Sequence, residues 1–297
     1  MQLLVIGKNG QLARALAVRS STHPSLRCKF IGRPEVDLAD RNLSDSIVRQ
    51  GPADLIVNAA AYTQVDRAEE ERDEAFALNA EAPGQIAAAA ASINARLIHV
   101  STDYVYDGTK TSAYAEEDPP NPQSAYGRSK LAGELAIRDT GARHMILRTA
   151  WVYSPHGANF VRTMLRLAES QNQLRVVDDQ IGSPTSAYDL ADAIFAVAEN
   201  WQGDSEYQNI YHCAGSGQTS WCGLARHIFA VSRKLGGPFA EVEAIMGSQW
   251  PTAAKRPDNS VLNSSRFTDR FGYRNPEWQD SVTQTVTEIL SRPDTEL

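Results

Sequence analysis

The segment SAYGRSK, residues 124–130, sets Tyr126 four residues before Lys130. On a helix this spacing puts the phenol and the ammonium on one face. A cation there favours phenolate and draws the tyrosine pKa down from about 10 toward working pH. A phenol so placed can give a proton to a carbonyl oxygen, and the lysine can also hold a ribose. VSTDYVYDG (100–108) adds Ser101 and Thr102, either of which could orient the same carbonyl. The chemistry such a group serves is ketone reduction by hydride from a nicotinamide. The pair alone is weak, because ten Tyr and six Lys in 297 residues give about 0.2 such pairs by chance. Its competing reading is a solvated helix face, so the elements around it decide.

Those elements alternate. LLVI (3–6), CKFI (28–31), DLIVN (54–58), RLIHV (96–100) and MILRT (145–149) read as strands, with helical patterns at 11–20, 41–50, 67–92 and 124–140 between them. Apolar strands alternating with helices predict a parallel sheet covered on both faces, an α/β Rossmann-type doubly wound fold. NAAAYTQVD (58–66), VSTDYVYDG, SAYGRSK and LRTAWVY (147–153) would then meet at the carboxyl edge of the sheet, where ligands bind. After about residue 151 the rhythm loosens, with helical patterns near 158–171, 187–200, 221–234 and 280–291 and short strands at LRVV (174–177) and NIYHC (209–213). We expect a Rossmann domain over 1–151 and a smaller substrate domain over 152–297, with some of its segments returning to the first.

LLVIGKNGQLARAL reads as strand, turn and helix, with Gly7 and Gly10 in the turn and alanine at position 13. A pyrophosphate can approach such a backbone at a helix N-terminus, where free N–H groups favour an anion. The second strand ends FIGRPEVDLAD, offering Arg33 before Asp37. A guanidinium there suits a 2′-phosphate and leans the cofactor to NADPH, with NADH the alternative. Asp37 and Leu38 lie where the adenine edge is expected.

A net charge of −7 argues against a nucleic-acid partner, and no apolar run is long enough to span a bilayer. The N-terminus lacks the basic region of a signal peptide. Three scattered cysteines, Cys28, Cys213 and Cys222, are expected as reduced thiols, in keeping with a cytoplasmic location. The six histidines show no metal spacing and none is given a catalytic role.

Taken together, GKNGQL, VNAAAYTQVDRAE, STDYVYDG, YGRSKLAGE, LRTAWVY, NF (159–160), DDQIGSPT and RPDNSVLN resemble the extended short-chain dehydrogenases/reductases, and within them the dTDP-4-dehydrorhamnose reductase family, over nearly the whole chain. The resemblance implies NADPH-dependent reduction of the C4 ketone of dTDP-4-dehydro-L-rhamnose to dTDP-L-rhamnose, a precursor of cell-surface polysaccharide. It makes Thr102, Tyr126 and Lys130 the catalytic trio. Gly10, Gln11 and Leu12 match the pyrophosphate turn, Asp37 and Leu38 the adenine contacts, and Ala61, Tyr62 and Thr63 the nicotinamide side. Thr102, Asp103 and Trp151 match nucleotide-sugar contacts, and Lys255 or Arg256 in AKRPDNSVLN could meet the diphosphate.

The chain departs from the family at one place. Some members are magnesium-dependent dimers with carboxylates at positions that align to Ala15 and Tyr188, neither of which can ligate a hard cation as a carboxylate does. Magnesium and that dimer are not expected to carry over, and a monomer or weak homodimer is. No motif reads the nucleotide base. Two other readings share the fold: another nucleotide-sugar epimerase, dehydratase or reductase, and a non-catalytic NADP-binding regulatory subunit similar to the β subunit of methionine adenosyltransferase. Thr102-Asp103-Tyr104 supplies only half of a dehydratase's acidic couple, and the intact trio disfavours a subunit without turnover.

Overall fold

A computed structural model describes residues 1–201 and 208–291 of the chain; the final stretch of the expected second domain, 292–297, lies outside the described residues. The strands β1 (Gln2–Ile6), β2 (Arg27–Ile31), β3 (Leu55–Asn58), β4 (Arg96–Thr102) and β5 (His144–Thr149) alternate with α1 (Gln11–Arg19), α2 (Leu43–Val48), α3 (Arg72–Phe76), α4 (Ala82–Ser92) and α5 (Ala125–Asp139). The later half carries β6 (Val152–Tyr153), α6 (Phe160–Ala168), β7 (Gln173–Val177), β8 (Ile181–Gly182), β9 (Thr185–Ser186) and α7 (Ala187–Asn200). Then follow β10 (Gln208–His212), β11 (Thr219–Ser220), α8 (Trp221–Lys234), β12 (Glu241–Ile245), α9 (Ser265–Phe271) and α10 (Trp278–Ser291).

Six strands form one sheet in the order β10-β5-β4-β3-β1-β2, and every pairing in it is parallel. This is the Rossmann-type doubly wound fold. Alternation along the strands dictates the two layers. Leu3 and Val5 of β1 share a core with Leu12 and Leu16 of α1 and Ile194 of α7, while Leu4 and Ile6 face Ile47 of α2 and Ile86 of α4. The order reverses between β1 and β3, which opens a crevice above their carboxyl ends. From the second half, β10 adds to this sheet beside β5 and α7 packs on α1. Its helices α6, α8 and α10 build a separate core from residues such as Val161, Ile228, Phe229 and Val286, while α9 joins the sheet's core through Phe267 and Phe271.

Several elements differ from the sequence expectation. The helix expected over 67–92 is broken into a 3-10 turn (Arg67–Glu69), α3, a π-helical turn (Ala77–Glu81) and α4. Asn79 in the π turn spends its amide on another segment: it accepts from Tyr62 N at 2.9 Å and donates to Tyr62 O and Ser129 Oγ, each at 3.0 Å. A widened turn that aims a side chain outward is a common use of π geometry. Also unforeseen were α9 and the strands β6, β8, β9, β11 and β12, the last paired parallel to β7, because all of them are short.

Candidate active site

Thr102 closes β4 and caps the turn that follows it, accepting from Tyr104 N at 3.2 Å and donating to Asp103 Oδ1 at 2.9 Å. Asp103 is almost wholly buried, and burial raises its carboxyl to about 6. Beside this turn Ser124 caps α5 by accepting from Gly127 N at 3.1 Å, which fixes where Tyr126 leaves the helix. Gly127 is required there, since a Cβ would stand 2.2 Å from Tyr104 O. The helix can thus press directly on the loop that carries Thr102 and Asp103. Tyr126 packs edge-on against Tyr104 with centroids 5.5 Å apart, and it lines the same cavity as Thr102.

The electrostatics correct one expectation. Lys130 does not draw the Tyr126 pKa down; burial pushes the phenol up to about 12. The lysine nitrogen is engaged elsewhere, donating to Val100 O at 2.7 Å and lying 3.3 Å from His99 Nε2. Burial lowers Lys130 itself to about 8, against the opposing pull of Glu134. Tyr126 therefore stands protonated at neutral pH, the form a proton donor needs. Behind the trio, Glu134 is held by Arg148 through bonds of 3.0 and 2.6 Å and by Ser101 at 2.5 Å, all buried.

These groups open into a cavity of about 900 Å³ above the crevice. Gly7, Gly10, Gln11, Leu12, Arg33, Asp37, Leu38, Ala61 and Thr63 line it, as do Thr102, Asp103, Tyr126, Lys130 and Trp151. The cleft fits a dinucleotide on its own terms. Gly7 takes φ +124°, and Gly10 caps α1 without a side chain over the first-turn N–H groups. No acidic residue stands in that first turn, so an anion is favoured there.

Three expected site residues lie off the cavity wall. Tyr62 is buried among Ala68, Ala75 and Ala125 with its hydroxyl bonded to Glu71, so only its backbone serves this edge. Lys255 is exposed away from the cleft. Arg256 is held by Asp66 through contacts of 3.2 and 2.9 Å. Conversely, reasoning from sequence passed over Lys8, Asn58, Asn159 and Trp221, which do line the cavity. Asn159 caps α6 and donates to Gln11 Oε1 at 3.0 Å, tying the glycine turn to the second half. Trp221 stacks on Trp151 with centroids 3.4 Å apart and planes 5° apart. It directly follows the Ser220 helix cap, a position that does not by itself say that this helix start faces the cleft.

Among the described residues no cluster of three metal-ligating side chains occurs and no helix is long and apolar enough to cross a membrane. The family model described as RmlD substrate binding domain matches residues 1–291. A dTDP-4-dehydrorhamnose reductase from Sinorhizobium fredii is 44% identical over 292 residues, 98% of either chain. A crystal structure of a dTDP-4-dehydrorhamnose reductase from Clostridium acetobutylicum superposes with a TM-score of 0.89 at 33% identity, covering 98% of this chain and all of that one. Another from Bacillus anthracis, in complex with NADP, gives a TM-score of 0.89 at 31% identity, covering 97% and 99%.

Proposed function

The chain belongs to the dTDP-4-dehydrorhamnose reductase family, and from that premise we propose that it reduces the C4 ketone of dTDP-4-dehydro-L-rhamnose to dTDP-L-rhamnose with NADPH. The observation that carries the reading is one cavity that Thr102, Tyr126 and Lys130 line together and that the turn at Gly7 and Gly10 edges. NADPH bound along that turn supplies hydride to the sugar C4. Tyr126 gives its proton to the C4 oxygen, so that one hydride and one proton convert ketone to alcohol. Thr102 orients that oxygen, and Lys130 holds the nicotinamide ribose. Gly7, Gly10, Gln11 and Leu12 take the pyrophosphate, Asp37 and Leu38 the adenine side, and Arg33 the 2′-phosphate. Ala61 and Thr63 flank the nicotinamide half, while Asp103 and Trp151 meet the nucleotide sugar.

The second half, with the cleft wall at Trp151 and Trp221, serves the nucleotide sugar. A cytoplasmic location follows from a substrate and a cofactor that are both soluble nucleotides. We favour a monomer or weak homodimer without magnesium. Ala15 is fully buried, and Tyr188 receives the Arg19 guanidinium 4.9 Å from its ring centroid and donates to Glu288 at 3.1 Å. The deciding assay follows NADPH absorbance with dTDP- and UDP-linked 4-keto sugars. Consumption that depends on the dTDP-linked ketone supports the reading. NADPH binding with no turnover on any of these ketones overturns it in favour of a regulatory subunit.

A further inference from the structure

Lys130 Nζ meets two groups of β4: the Val100 carbonyl, which it reaches at 2.7 Å, and Nε2 of His99 at 3.3 Å. His99 is fully buried, and its other ring nitrogen, Nδ1, lies 3.0 Å from Asn58 Nδ2. The polarity of this chain of contacts can be traced from the backbone. Ala60 N–H donates to Asn58 Oδ1 at 3.2 Å, so the amide turns its NH2 toward His99. An NH2 group only donates, which makes Nδ1 the acceptor and leaves the ring proton of a neutral imidazole on Nε2. That N–H points at the lysine nitrogen. An amine has a lone pair to receive it, and an ammonium has none.

We infer that Asn58 and His99 are positioning residues that act through Lys130, presenting an N–H to its nitrogen and disfavouring the ammonium. The opposite polarity needs the proton on Nδ1 and the Asn58 amide reversed, which sets its NH2 against the Ala60 N–H, donor facing donor. The charged neighbours do not supply this effect. Glu134, one turn further along α5, favours the ammonium and is itself held by Arg148 of β5. His144 of β5 acts on His99, and Asp103, just past the end of β4, acts on Tyr126. Burial keeps His99 well below the usual histidine range, so it is a neutral donor at working pH. With burial also lowering Lys130 to about 8, the lysine charge is switched within reach of physiological pH.

The inference deepens the reading of Lys130 as the ribose-holding group, but its tests need no sugar. NADPH affinity, followed by fluorescence from about pH 6 to about pH 10, is expected to weaken as the ammonium is lost near pH 8. Lys130→Met removes that break. His99→Phe keeps the ring volume and deletes the opposing N–H, and the break moves up by about one unit. Asn58→Asp presents only acceptors, draws the proton to Nδ1 and leaves Nε2 to accept from Lys130, so the break rises again. An unmoved break in both variants, or none in the unaltered protein, overturns the inference. Should either variant fail to fold, long-range proton–nitrogen NMR of the unaltered protein decides: the Nε2–H tautomer of His99 is expected, and the Nδ1–H tautomer overturns it. Lack of turnover on every ketone with these results intact would instead sink the proposed reduction.

Discussion

The two walls of the cleft are built by different means. On the β4–α5 wall hydrogen bonds fix the reacting groups: Thr102 bonds to Asp103, Lys130 to Val100, and the Ser124 cap sets where Tyr126 leaves the helix. On the facing wall Trp151 and Trp221 are held by stacking, and Trp151 sits at φ +47°, a backbone region that a bulky residue adopts only when its surroundings impose it. Gly182 lies against the other face of the Trp151 indole. Proton transfer is directional and needs donors and acceptors fixed in space. A sugar nucleotide needs a shaped surface, which packing supplies.

The sharpest way to break that contrast is Tyr126→Phe. It leaves ring packing intact and removes the proton, so kcat should fall by about 10²–10⁴-fold while the Kd for NADPH stays within about threefold. Stopped-flow turnover together with fluorescence titration checks both numbers. Normal turnover would take the proton donor off this wall altogether. Gly127→Ala attacks the same wall through its backbone. A methyl 2.2 Å from Tyr104 O must displace the loop or the helix, at a cost of about 1–3 kcal/mol. Calorimetry should show a Tm lower by several degrees, with kcat falling along with it; an unchanged Tm would mean that the close approach carries no load.

The sheet edge was legible in the sequence because period and punctuation determine it. Alternating strands and helices prescribe a parallel sheet, and a parallel sheet brings Gly10, Thr102 and Tyr126 to one edge although the chain separates them by up to 116 residues (126 − 10). The state of Tyr126 was not legible. Spacing placed a lysine near the phenol, but desolvation and the rival carbonyl of Val100 appear only in three dimensions. Trp221 escaped for a similar reason, since nothing local says which helix N-terminus faces the cleft. Asn79 was hidden inside a run of good helix formers, where a π turn leaves no compositional mark.

Arg33→Ala tests whether charge recognition belongs to the first half of the chain. Arg33 is exposed at the cavity rim, and losing one guanidinium contact to a phosphate costs about 1.5 kcal/mol, or roughly tenfold. NADPH should weaken by about that factor and NADH by less than about twofold. Equal losses would show that Arg33 does not read the 2′-phosphate. On the facing wall Trp221→Ala should raise KM for the sugar nucleotide about five- to tenfold, as expected for losing an aromatic partner, with NADPH affinity unchanged. A fall in kcat at constant KM would mean that this wall takes part in orienting the reacting atoms, and the division between the walls would blur.

The smallest effect is expected at Arg256, where sequence and structure disagree most. The RPDNS stretch suggested a diphosphate contact, but the guanidinium is engaged by Asp66 and lies off the cavity wall. Asp66 is 43% exposed and Arg256 27%, so the pair is worth about 0–1 kcal/mol. The carboxylate of Asp66 is held below its usual range in spite of the burial that opposes it, through Arg256 and the Ala254 N–H. Its contribution to stability is therefore present above the ordinary Asp pKa and is lost as pH falls through the lowered one. Arg256→Ala should weaken that acid-side dependence, leaving the part due to the Ala254 N–H, shift Tm by no more than about 2 °C, and change KM by less than about threefold. A tenfold rise in KM would mean that the guanidinium leaves Asp66 for the substrate, and the second wall would then hold charge as well as shape.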